Sequence, residues 1–266
     1  MPFATEDGRR LDRIHLVQRA PGTFQLTRSF TFLESGRPES ERYVIRAHDE
    51  SRPAKGSNAT DLASVPPFLW GLISSHGRQT AAALMHDQLW WESLNPDPEI
   101  WIRQRREADR LFAVALRESG STWMRTQLLV AAVTLERYWG PRRWRAVAMA
   151  LHALAGTASI WIAMTGLLGA WGLLLVALPA LTVLIWGADA FPMGVLIYSG
   201  VLFLPIAAAA LLGQYLLLLL DLVDWLLGRR RRPMPKAGPL GRTRRAKVRA
   251  RNRVREAEHE RAGRSR

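Results

Sequence analysis

The side chains best suited to chemistry in this sequence are His86, Asp87 and Asp109, with Asp61 and Ser64 upstream of them. An imidazole with carboxylates suits Zn, Mn or Fe, and a metal-bound water would supply a hydrolytic nucleophile. On that reading His86, Asp87 and Asp109 are the catalytic candidates. The same three residues with Asp61 are the metal ligands, and a divalent metal is the cofactor. Adjacent helical residues point about 100° apart, so His86 and Asp87 can border one cleft but cannot share a stripe. A metal-dependent phosphohydrolase would also want a further upstream histidine. His76, in a turn beside Gly77, matches that need poorly. The competing reading is structural: His86 donates to a buried carboxylate, and Asp109 pairs with Arg105 or Arg106. We adopt the structural network as the working expectation and keep the metal site as its alternative.

Two further chemistries fail on local grounds. Ser64 precedes Val65-Pro66-Pro67 and has no Gly-x-Ser-x-Gly elbow, and the prolines remove amides that an oxyanion hole would use. Ser64 is expected to cap a helical turn, and Asp61 to accept from loop amides. The chain has no cysteine, which excludes disulfides and thiolate sites. No phosphate-binding glycine loop is present.

These residues need elements to position them. Residues 14–18, 23–33 and 43–47 alternate apolar and polar side chains and predict strands. Helical spacing follows over Thr80–Trp91, Arg103–Arg117 and Trp123–Tyr138, with Gly120 as the stop of the middle helix. Residues 1–145 thus predict an α+β domain, a small antiparallel sheet followed by three helices.

Within it, Thr60-Asp-Leu-Ala-Ser-Val-Pro66, Phe68-Leu-Trp70, Ala83-Leu-Met-His-Asp87 and Arg106-Glu-Ala-Asp-Arg-Leu-Phe112 occur in order. That ordered set resembles the domain of unknown function 1353 family over about residues 12–145. The resemblance implies a phage-related origin and no established activity. The usual member lacks a membrane part, and the segment before Thr60 is longer and more polar here, with Asp49, Glu50 and Lys55.

The rest of the chain differs in kind, although a mean hydropathy of -0.06 conceals it. Residues 146–188 and 190–220 contain no Asp, Glu, Lys or Arg. A helix needs about 20 apolar residues to cross the hydrocarbon core, so each stretch is long enough. Residues 146–228 are therefore expected to form a transmembrane helical hairpin, spanning about 158–186 and 193–224, with the turn at 187–192. Arg142, Arg143 and Arg145 precede it and Arg229–Arg232 follow. The positive-inside rule puts both clusters in the cytoplasm and demands an even number of crossings; three crossings, which would put the tail outside, are the alternative. Met1–Asp12 lacks the pattern of a secretory signal, which also keeps the domain cytoplasmic. Trp139, Trp144, Tyr198, Tyr215 and Trp225 are the expected interfacial anchors.

Nearly all of the formal charge of +14 lies in residues 229–266. This tail is expected to be disordered and solvated, touching anionic lipid headgroups. The run Arg242–Arg255 could neutralise nucleic-acid phosphates but has no aromatic residue to stack on bases, so lipid is the preferred partner. A protein partner is the further expectation. The function these features imply is a membrane-tethered, phage-related accessory or interaction protein. A metal-dependent hydrolase at the inner membrane face and a membrane-linked nucleic-acid binder are its alternatives.

Overall fold

The computed structural model describes residues 2–20, 23–47, 60 and 77–227. Its N-terminal part holds small antiparallel sheets and several helices. Strands β1 (Phe3–Thr5), β4 (Phe30–Phe32) and β5 (Tyr43–Ile45) pair in the order β1-β4-β5, with Phe3 opposite Phe32 and Phe30 opposite Ile45. Strands β2 (Leu16–Ala20) and β3 (Thr23–Leu26) form a separate ladder. The expected continuous strand over 23–33 is therefore two, divided at 27–29 and assigned to different sheets. Alternation alone cannot show such a division, because both halves carry the same pattern. Strand β1 was not among the predicted strands. Phe3, Phe30 and Phe32 cluster with ring centroids 5.1–5.7 Å apart and fix the sheet's buried face.

Three helices pack on that face. Helix α1 (Thr80–Glu92) buries Ala81 through Met85 on every side, so it runs through the centre of the domain. Helix α2 (Pro98–Glu118) starts five residues before the predicted Arg103. Asp97 caps it by accepting from the Glu99 amide at 2.8 Å, and Pro98 occupies the first helical position. Gly120, at φ +78°, ends the helix. Helix α3 (Trp123–Trp139) completes the first core with Leu129.

The apolar region contains three helices where a two-helix hairpin was expected. Helix α4 (Arg143–Met164) begins at the arginine cluster, so residues 145 and 146 are consecutive positions of one helix. It stops within the expected first span. Gly166 (φ +73°) and Gly169 (φ +50°) reverse the chain, and helix α5 (Gly172–Thr182) runs back, continued by a 3-10 turn through Asp189. Glycine is also tolerated inside membrane helices, so its presence in an apolar stretch does not by itself announce a turn. In the fold these two supply left-handed backbone that other residues adopt only with strain. Helix α6 (Ala190–Leu226) contains the expected second span.

Side-chain contacts fix the directions. Ser159 Oγ donates to the Leu175 carbonyl at 3.1 Å, and His152 meets Thr182 at 2.9 Å, so α4 and α5 are antiparallel. Met149 shares a core with Met193, and Thr157 Oγ1 donates to the Ile197 carbonyl at 2.9 Å, so α6 runs parallel to α4. This second core also takes Ile102 of α2 and Tyr138 of α3. Domain and apolar helices thus share buried side chains.

Candidate functional site

The predicted cluster forms in part, and it extends beyond the residues that chemistry singled out. His86 is buried in α1, and its Nε2–H donates to Asp109 Oδ1 on α2 at 2.7 Å. Its ring lies 4.8 Å from that of Phe112, between centroids. The other oxygen of Asp109 accepts from Arg137 Nε of α3, also at 2.7 Å. Arg137 Nη1 then donates to Asp189 Oδ1 at 2.9 Å, at the start of α6. Asp189 Oδ2 accepts from the Tyr138 hydroxyl at 2.5 Å, with Arg106 at 3.5 Å and Arg145 at 3.8 Å. The result is a continuous chain, His86–Asp109–Arg137–Asp189, crossing from the centre of the domain to the apolar helices.

Every member of that chain is less than 7 % exposed. Burial by itself would disfavour the Arg137 charge. Asp109 and Asp189 on its two sides outweigh that cost and hold its pKa above the ordinary value. Burial first, and the bond to Asp189 second, push the Tyr138 hydroxyl up from its usual pKa. Arg105, one turn before Asp109, did not form the expected ion pair with it. Its guanidinium lies over Trp90, 4.2 Å from the ring centroid, and burial pulls its pKa down to about 10.

Asp87 lies apart from this chain. Its carboxylate accepts from Thr60 Oγ1 at 2.6 Å, and Thr60 exchanges backbone hydrogen bonds with Phe24. Asp87 therefore ties Thr60 and the β2–β3 ladder to α1, on a face about 100° from His86. Asp61, Ser64 and His76 lie outside the described residues, as does the tail from 229. Among the described residues, no three His, Cys, Asp or Glu side chains are grouped to hold a metal. The cleft between β5 and α1, lined by Tyr43, Met85 and Gln88, contains none of the predicted site residues.

Residues 41–133 match the model of a family described as a protein of unknown function (DUF1353). The DUF1353 match is narrower than the resemblance over 12–145. It runs from just before β5 into α3, so it includes His86, Asp87 and Asp109. Arg137 and Asp189, the other half of the buried chain, lie beyond it. No curated protein and no solved structure matches the chain. Sequence reasoning missed Arg137 and Asp189 as site residues. The available signal was Asp189 itself, the sole charged residue between Arg145 and Asp221, which reads locally as an ordinary turn residue.

Proposed function

We propose that this is a membrane-tethered accessory or interaction protein of phage-related origin, whose signature residues hold the fold and dock it onto its own anchor. The observation carrying this reading is the closed hydrogen-bonding of His86, Asp109, Arg137 and Asp189. Each charged group has its partners inside the protein, and the chain ends on the apolar helices instead of at a cleft. A buried, satisfied network of this kind specifies packing without needing a substrate.

The membrane part rests on two segments, Arg143–Met164 and Gly169–Leu226, that are long and apolar enough to cross a bilayer. Their outward faces are apolar too. Trp144, Leu151, Leu154 and Met164 of α4 are more than half exposed, as are Leu216 to Leu220 of α6. Soluble monomers rarely expose contiguous apolar patches beyond a few hundred Å². At about 25 cal/mol per Å², removing such a surface from water supplies a large driving force for insertion.

Three measurements test the proposal together. The full chain should stay with membranes through carbonate washing and be released by detergent. The purified chain should carry no stoichiometric metal, and His86→Ala and Asp109→Ala should lower its stability. Stoichiometric metal that is lost from folded His86→Ala, Asp87→Ala and Asp109→Ala variants would instead favour the metal-dependent hydrolase and call for a phosphoester and amide substrate screen.

A further inference from the structure

We infer that the chain crosses the bilayer an odd number of times, so the arginine-rich sequence after Leu227 meets the anionic headgroups of the membrane face opposite the domain. The inference rests on the membrane reading above and deepens it. Its first support is where the α4–α5 hairpin begins and ends. Arg145, in the first turn of α4, lies 3.8 Å from Asp189, at the end of the returning segment. Its guanidinium also lies 5.8 Å from the ring centroid of Trp186. Asp189 is in turn bonded to Arg137 and Tyr138 of α3. The hairpin therefore leaves the domain and comes back to it, whether or not its tip at Gly166–Gly169 reaches the far leaflet.

The second support is the length of α6, one unbroken helix of 37 residues, continuous through Pro205. At about 1.5 Å per residue it measures roughly 55 Å, more than the ~40–45 Å of a whole bilayer with its headgroup layers. Its first turns are buried through Met193 and Ile197. Beyond Val201 its described side chains are mostly exposed. A helix anchored at one end to the domain, and longer than the bilayer is thick, delivers its other end to the opposite face.

The two-span arrangement expected from sequence, 158–186 and 193–224, would put residues 187–192 across the membrane from the domain. That is about 30 Å from Arg137, with which Asp189 is in direct contact. With an odd number of crossings the positive-inside preference is met at only one of the two arginine clusters, Arg142–Arg145 or Arg229–Arg232.

The absence of cysteine makes the test direct. Single cysteines are placed at Arg13→Cys, an exposed position of the domain, and at Ser265→Cys in the tail, with Glu6→Cys as a second domain site. Each full-length variant is expressed in a bacterial host and treated with a membrane-impermeant maleimide, in intact spheroplasts and in inverted membrane vesicles. The expected result is opposite labelling: the domain cysteines react in one preparation and Ser265→Cys in the other. Labelling of both sites in the same preparation alone would overturn the odd count while leaving the chain membrane-embedded. Recovery of the chain in the soluble fraction, or its release by carbonate, would overturn the membrane reading and the topology with it.

Discussion

Removing the Asp189 carboxylate would leave the Arg137 guanidinium with one buried carboxylate and the Tyr138 hydroxyl without its acceptor. Breaking a buried ion pair from one side commonly costs about 3–5 kcal/mol, because the remaining charge stays desolvated. We expect Asp189→Ala to lose stability in that range in detergent-solubilised protein, measured by thermal or denaturant unfolding. An exposed pair such as Arg110–Glu34 should cost about 1 kcal/mol or less when broken in the same assay. Tyr138 makes a prediction about pH. Its folded-state pKa is raised above the ordinary value of 10.0, so its contribution is complete below that pH. Above it, the unfolded hydroxyl releases its proton more readily than the folded one, and stability falls as pH rises. Tyr138→Phe should cost about 1–3 kcal/mol at neutral pH by leaving Asp189 short of a donor, and its stability should decline less steeply above pH ~10.

At the scale of elements, two glycines separate packing from backbone strain. A Cβ at Gly200 would sit 2.5 Å from Thr157 Oγ1, where α6 crosses α4. Gly200→Ala should cost about 1–3 kcal/mol by forcing the helices apart, and Thr157→Ala in the same chain should restore part of the loss. A Cβ at Gly166 would meet nothing within 4 Å, yet its φ is +73°. Gly166→Ala should therefore cost about 1 kcal/mol through the backbone alone, with no partner substitution able to rescue it. Unfolding of the three variants separates the two causes. The pair also shows why the number of apolar helices was misjudged from sequence. A glycine that fills a close approach, one that turns the chain and one merely tolerated in a helix are the same letter.

For the whole molecule, the buried chain makes the α+β domain and the apolar helices interdependent. Asp189→Ala should raise hydrogen exchange first in the C-terminal half of α3, the start of α4 and the start of α6, where Arg137, Arg145 and Asp189 meet. The phenylalanine cluster of β1 and β4 and the centre of α1 pack in the other core and should stay protected. Equal loss of protection throughout would mean that the two cores unfold as one unit.

Much of this was legible in one dimension. Alternation, helical spacing, Gly120 and the long uncharged stretches determined an α+β region of strands then helices, joined to apolar helices, because each signal is a property of neighbouring residues. His86 and Asp109 stood out by their types, an imidazole and a carboxylate on successive helices. What the tertiary structure alone decided is how these groups are used. Asp109 accepts from Arg137, Asp87 from Thr60, and Asp189 returns the α4–α5 hairpin to the domain. Those pairings join residues dozens of positions apart, and composition and spacing carry no term for which distant charge a carboxylate will meet. The direction of each apolar helix was undecidable for the same reason, since a turn residue and an anchoring residue differ only in what lies across from them in space.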